Sequence, residues 1–301
     1  MYHHATRLPV VCAFGFLLGL GLLVTCAQPA RSTPQTESQA NPTAPASASN
    51  QVTAPVVAKI PKEVTRAIQR AGELVVSLDA SDLSAGTQVW TNYGTMGNFR
   101  RVGAPKRAMA GGLSAVEFNG TSDAYRSEQT IPATLAGAHA RSIEVWVYNP
   151  SLDSSEECLV AWGHRGTTLA NMAFNYGSGG GFSAVTHYDE DMSWGDESPA
   201  AGKWHHLAYT YDGKTAKIYE DGVERGSGAF ELVTAAGTRM NLGVENSAEG
   251  EPLFQSEFDN NWPLSLSGFL ALVRVHSGSL TPQQVKANFD TEKGRFGRSG
   301  Q

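Results

Sequence analysis

The chain has little cysteine, little charge and no surplus of basic residues. Its 301 residues include three cysteines, at positions 12, 26 and 158. Cys12 lies inside the first apolar segment and Cys26 just after it, so Cys158 stands alone in the body and no internal disulfide can staple it. The fold must rest on its core. Within Glu157-Cys158-Leu159-Val160, Cys158 reads as a small buried strand residue, with no basic neighbour to activate a thiol. Charged residues make up 17%, and the formal net charge is −6. The first 71 residues hold six Lys/Arg against two Asp/Glu, and the remainder hold 17 against 27. An acidic body is a poor match for nucleic acid, which needs clustered Lys/Arg to displace phosphate counterions.

Several catalytic signatures are absent as well. The run Gly177-Ser178-Gly179-Gly180-Gly181-Phe182 lacks the P-loop lysine and the spacing of a dinucleotide fingerprint. There is no Gly-x-Ser-x-Gly elbow. No His-x-His or His-x-x-x-His pair occurs, and the adjacent His205 and His206 would point to opposite faces of a strand, so zinc is not expected. What is present is 41% apolar residues, enough for a globular core, with 32 glycines and 6 tryptophans.

The N-terminus reads as an export signal over 1–26. Arg7 precedes an apolar run from Leu8 to Val24, which ends at Leu23-Val24-Thr25-Cys26. This ending resembles a bacterial lipoprotein box, which implies lipidation of Cys26. Thr25 departs from the Gly, Ala or Ser usual before that cysteine. Two other readings stay open: cleavage after Ala27, and retention as a membrane anchor, for which the run is marginal against about 20 spanning residues. Each places the body outside the cytoplasm, as a cell-envelope lipoprotein or a secreted protein. Residues 27–60 read as a linker. Of the 32 residues 27–58, 27 are Ala, Pro, Ser, Thr, Gln or Asn, too few apolar groups to offset the entropy of ordering. As a flexible coil it spans on the order of 30 Å, suited to a stalk.

A short helix is predicted over 61–71, opened by Pro61 and closed by Gly72. Then come short β-rich runs: 74–78, 115–118, 143–148, 159–162, 172–176, 184–188, 205–211, 216–219, 240–244 and 269–276. Between them stand Asn119-Gly120, Asp212-Gly213 and Asp221-Gly222, dipeptides that suit tight hairpins because the central residues need positive φ. A last short helix is predicted from the cap Thr281 and Pro282 through Val285 and Ala287, with 293–301 as a tail. Many short strands without interleaved amphipathic helices predict an all-β, two-sheet antiparallel jelly-roll sandwich with short flanking helices.

The segment from Gly202-Lys203-Trp204-His205-His206-Leu207 to Asp212-Gly213, with Tyr219-Glu220-Asp221-Gly222, resembles the central hairpin of laminin-G-like jelly-roll domains. These belong to the concanavalin A-like lectin/glucanase group. Val116–Gly120, Ser142–Val147 and Gly268–His276 agree in order and spacing, so the resemblance covers 72–292 as one domain. Glu220 departs from it: alternation places it with Ala216 and Ile218, on a face where the family has an apolar residue. The resemblance implies a non-catalytic carbohydrate- or glycoconjugate-binding domain, with a glycan or glycoprotein as partner and the membrane reached only through the N-terminal lipid. A protein-interaction or adhesion module is the alternative, and a glycan-cleaving enzyme comes third.

Three groups of candidate binding residues follow. On the strand 141–148, Glu144, Trp146 and Tyr148 share one face, and aromatics beside a carboxylate suit a sugar, whose C–H faces stack on rings. The competing reading is that this face is covered and Trp146 is core. His164, Arg165, Tyr176, His187 and Trp194 are expected to line a polar-aromatic pocket, or else to pack loops. The loop from Asp189 to Glu197 carries five carboxylates, and Asp189 and Asp191, with Asp123 as a further ligand, are candidates for calcium. That loop is not an EF-hand: its glycine, Gly195, comes one place late and Ala200 occupies the twelfth position. Glu144 has no second acid on its strand face, which argues against the carboxyl pair of a glycosidase.

Overall fold

The computed structural model describes residues 68–297, apart from 85, 87, 179–180 and 258–260. The predicted signal with Cys26, the linker 27–60, and 61–67 of the predicted first helix lie outside the described residues. Residues 68–71 are described and are not helical. Among the described residues no helix is long and apolar enough to cross a membrane.

Two antiparallel sheets make the predicted jelly-roll sandwich. The larger has the spatial order β13 (Val223–Ala229), β12 (Thr215–Glu220), β11 (Trp204–Tyr211), β7 (Arg141–Tyr148), β17 (Ser267–His276), β5 (Leu113–Asn119) and β4 (Lys106–Ala110). The first strand, β1 (Leu74–Asp79), pairs with the C-terminal half of β17, while β5 pairs with its N-terminal half. The smaller sheet has the order β10 (Val185–Thr186), β9 (Asn171–Asn175), β8 (Cys158–Gly163), β14 (Arg239–Leu242), β6 (Ala124–Thr130), β3 (Phe99–Val102) and β2 (Val89–Trp90). A two-stranded ribbon, β15 (Glu245–Asn246) with β16 (Pro252–Leu253), follows β14.

Strand alternation sets the core. Ile143, Val145 and Val147 of β7 face Trp162, Met172, Phe174 and Met240 of the smaller sheet, with Leu207, Tyr209, Val273 and Val275 in the same cluster. Asp221-Gly222 forms the expected turn between β12 and β13, with φ of 50° and 79°. Cys158 is fully buried against Ala161 and Ala173, and burial raises its thiol well above the ordinary value, so it is inert.

The outer face of the larger sheet is closed by one helix, α1 (Pro282–Phe296). Thr281 caps it by accepting from the Gln284 amide, while the Gln284 side chain accepts from the Thr281 amide, a capping box with proline at the first turn. The helix runs beyond Ala287 and takes in 293–296, which corrects the predicted tail. The reason is Phe296: it stacks on Trp146 with ring centroids 4.0 Å apart. Beneath the helix, Arg274 of β17 is ion-paired with Glu292, and Trp146 Nε1 donates to the same carboxylate at 2.8 Å. Removing one partner of a buried pair leaves a charge stranded, whereas removing both need cost nothing. Urea unfolding is expected to show Glu292→Ala destabilised by about 3–5 kcal/mol, and Arg274→Met combined with Glu292→Leu recovering most of that loss.

Candidate functional site

Helix α1 decides the fate of the first predicted group. On the outer face of the larger sheet, Trp146 lies in register between His206 and Leu272, and Glu144 between Ala208 and Arg274. An aromatic row therefore exists, but Phe289 and Phe296 lie over it. Trp146 is 2% exposed and Glu144 1%. The face is thus not an open sugar platform, a correction of that expectation; Tyr148, half-buried beside Trp204 and Phe269, is its one partly accessible member. Burial alone would raise the Glu144 carboxyl. His276, whose Nε2 lies 3.1 Å from Oε2, and His206, 3.3 Å from Oε1, instead hold it well below the usual carboxylate range. Asn288 of the helix donates to both of its oxygens at 3.0 Å.

The outer face of the smaller sheet is also covered over β9, β8 and β14, with Arg100 of β3 left exposed. Thr186, Ala173, Ala161, Asn241, Arg126 and Arg100 stand in register across five neighbouring pairs and share one side. The two alanines leave space that β15 fills, carrying Glu245 and Asn246, both fully buried. Arg165 Nη1 donates to Glu245 Oε2 at 2.7 Å and to Glu156 Oε2 at 2.9 Å. Asn171 adds a donor to Glu245 at 3.2 Å. Burial and the neighbouring Glu156 push the Glu245 carboxyl up, against the pull of Arg165. Two carboxyls thus approach each other, but a guanidinium bridges them and neither faces a groove: Glu156 is 2% exposed and Glu245 0%.

The predicted pocket of His164, Arg165, Tyr176, His187 and Trp194 does not form as one cavity. Arg165 belongs to the Glu156–Glu245 network. His187 is buried between the sheets: Nδ1 donates to Asn171 O at 3.3 Å and Nε2 accepts from Tyr209 Oη at 3.3 Å. Tyr176 is buried, its hydroxyl donating to Ala200 O at 2.8 Å. Trp194 is buried against Phe174. These four are interior, so their expected contact with ligand is corrected; His164 alone stays partly exposed.

The remaining open polar surface of this group is a rim where two loops meet, 163–170 and 187–191. Leu169, Tyr188 and Asp189 all have left-handed backbone, with φ of 61°, 69° and 66°. Left-handed φ is uncommon outside glycine, and for a bulky residue it costs on the order of 1–3 kcal/mol. The conformation is held by named bonds. The Leu169 amide donates to Tyr188 O at 3.2 Å, and Thr168 Oγ1 donates to Asp189 Oδ2 at 2.8 Å. Asp191 Oδ1 accepts from the amides of His187 and Tyr188 at 2.9 and 3.1 Å. Burial raises the Asp191 carboxyl to about 6. The rim presents His164 and Tyr188, each half-buried, with Thr167, Thr168, Asp189 and Glu190 exposed. Tyr188 and Thr168 escaped the sequence reading; a tyrosine opening an acidic loop was the available signal.

Asp189 and Asp191 serve this rim, whereas Asp123 accepts from the Ala104 amide at 2.8 Å in the turn between β5 and β6. The three are thus engaged in separate bonds and do not converge. Among the described residues, the His/Cys/Asp/Glu group whose ligand atoms do converge is His205, Glu220 and Asp221.

With this geometry in place, comparison with known proteins is informative about the fold. The family model Laminin_G_3, described as concanavalin A-like lectin/glucanases superfamily, matches residues 119–286. The chain belongs to the concanavalin A-like lectin/glucanase superfamily. No curated protein matches it in sequence. Among solved structures it is similar to domain 4 of AbnA, a GH43 extracellular arabinanase from Geobacillus stearothermophilus, in complex with arabinotriose. That match has 20% identity and a TM-score of 0.49, and covers 73% of this chain and 99% of that one. It is also similar to Trypanosoma rangeli sialidase in complex with sialic acid, at 14% identity and TM-score 0.48, covering 74% of this chain and 33% of that one. The binding domain of Paraclostridial Mosquitocidal Protein 1 matches at 15% identity and TM-score 0.47, over 73% of this chain and 52% of that one. The concanavalin A-like sandwich therefore carries two sheet faces covered at their centres and a strained, polar rim.

His187 links rim and core in a measurable way. Burial lowers its imidazole from 6.5 to about 3, against the weaker pull of the Asn171 carbonyl. As pH falls through this window, the unfolded chain takes up a proton that the folded chain refuses, so this histidine's contribution is lost on acidification. Asp191 acts in the opposite sense between 3.8 and about 6, since the folded state binds its proton more tightly. The difference between wild type and His187→Gln isolates the histidine: the variant's stability is expected to fall less steeply with pH below 6.5, measured by urea unfolding at a series of pH values.

Proposed function

We propose that the chain is a non-catalytic glycan-binding domain displayed outside the cell, with its ligand at the rim of His164, Thr168, Tyr188 and Asp189. The observation that carries this is the run of left-handed, non-glycine residues, Leu169, Tyr188 and Asp189, joined across two loops. Such strain persists where the surroundings over-determine it, and it concentrates at sites of recognition. Here it puts the half-buried Tyr188 on the same two loops as the Thr168 hydroxyl and the Asp189 carboxylate, and a sugar is received by ring faces for its C–H groups and oxygens for its hydroxyl protons.

Superfamily membership spans lectins and glucanases, so the site has to separate them. A hydrolase needs two carboxyls facing one groove at about 5–9.5 Å. Glu144 lies under a helix, and Glu156 and Glu245 are bridged by Arg165, which supports binding over cleavage. For adhesion through an apolar patch there is less support: the large exposed apolar side chains among the described residues are Met109, Val223 and Val233, on separate segments. Export to the cell envelope, with Cys26 lipidated and 27–60 as a stalk, belongs to the same proposal and rests on the N-terminal sequence.

The test is a glycan and polysaccharide array probed with the full chain in detergent, with calcium and with chelator. Saturable binding to a defined glycan is expected. Tyr188→Asn removes the ring but keeps a residue that tolerates left-handed φ, and should weaken binding by about tenfold or more. Trp146→Phe should leave binding unchanged. Silence of the wild type in both conditions, or full binding by Tyr188→Asn, would overturn the proposal.

A further inference from the structure

We propose that His205, Glu220 and Asp221 form a binding site for a divalent transition-metal ion of the zinc class, separate from the rim. His205 is fully buried on β11, and its Nε2 lies 3.0 Å from the carbonyl oxygen of Ala200. A carbonyl only accepts, so Nε2 carries a proton and ties the ring to Ala200. Nδ1 faces two carboxylate oxygens, Asp221 Oδ2 at 3.0 Å and Glu220 Oε1 at 3.2 Å. A group of this kind is held together by a shared cation, either a proton on Nδ1 or a metal ion. All three lie within 4.8 Å of one another. The two nitrogen–oxygen separations are close to the edge of a tetrahedron, about 3.3 Å, drawn around an ion with bonds of about 2.0–2.1 Å.

The atoms behind the ligands are held in the manner of a metal site. Ala200 fixes the ring through Nε2. The His206 amide donates to Asp221 Oδ1 at 2.9 Å, and the Asp221 amide donates to His206 O at 2.8 Å. The Arg225 guanidinium pairs with Glu220 Oε2 and also donates to Glu197 O at 2.8 Å. Each ligand thus has its far atom tied down and its near atom turned inward, which is how outer partners orient a first set of ligands. The turn at Asp221-Gly222, left-handed at both positions, brings the third ligand back to β11. Glu220 now has a reason to stand where alternation with Ala216 and Ile218 would place an apolar residue. An entry path exists, because the Glu220 and Asp221 side chains are 14% and 34% exposed while the histidine is closed.

The donor set selects the ion. Calcium takes six to eight oxygens, and magnesium prefers oxygen and water. One imidazole with two carboxylates suits zinc or cobalt in four coordinates, with one position left for water. The sequence concealed the site because His205 and His206 do point to opposite faces; the two carboxylates reach His205 from the next strand and its turn.

The experiment is calorimetric titration of the chelator-treated full chain with zinc chloride, and cobalt loading followed by visible absorption. One equivalent of zinc is expected, with the absorption of tetrahedral cobalt. Asp221→Asn, which keeps the turn, and Glu220→Gln should each weaken binding by about tenfold or more, with unchanged far-ultraviolet circular dichroism in chelator. Long-range proton–nitrogen correlation spectra of the wild type should show a zinc-dependent shift of His205 Nδ1. A His205 resonance indifferent to zinc, no stoichiometric uptake, or binding that survives in both variants would overturn the site and leave a proton as the bridging cation.

Discussion

A buried carboxylate under the C-terminal helix is the constraint on which the rest of this molecule depends. Glu144 lies in the middle of the larger sheet with almost no exposure to water, and an ion removed from water must be paired and hydrogen-bonded. Two of its partners, His206 and His276, come from neighbouring strands, and the third, Asn288, comes from α1. The same helix supplies Glu292 to Arg274 and Phe296 to Trp146. Lifting the helix would strand a carboxylate and a guanidinium and expose an aromatic row together. One face of the sandwich is therefore shut by charge as well as by apolar contact.

The opposite face is shut by a related device. Alanines at 161 and 173 make room for β15, whose Glu245 meets Arg165 and Asn171. With the centres of both faces closed, the proposed recognition falls to the ends of the sheets, where loops meet. There the backbone departs from ordinary φ at Leu169, Tyr188 and Asp189, and the cost is met by the packed sheets behind them. Rigid faces and a strained rim are complementary parts of one arrangement.

Much of this could be read from the sequence. Alternation in β7, β11 and β17 gave two sides to each strand, and Asp212-Gly213 and Asp221-Gly222 marked true hairpin turns, whereas Asn119-Gly120 joins β5 of the larger sheet to β6 of the smaller one. Thr281-Pro282 marked the start of α1. Alternation does not say which side meets water, and this misplaced Glu144 and Trp146: the groups that cover them lie 144 and 146 residues away along the chain. Arg165 was taken for a ligand contact for the same reason, since one of its carboxylates is 80 residues distant. The exposure of Asp189 and part exposure of His164 were legible because loop residues next to strand ends project outward. Tyr188 was not, because its exposure follows from a left-handed turn that no local pattern announces.

The central claim is that ligand is met at the rim and that both sheet faces stay closed. Hydrogen–deuterium exchange of the full chain, with and without the glycan it binds best, tests this most directly. The account predicts ligand-dependent protection in 163–170 and 187–191, and none in 141–148 or 282–296. Protection or opening confined to the strand and helix around Trp146, with the rim unaffected, would contradict it.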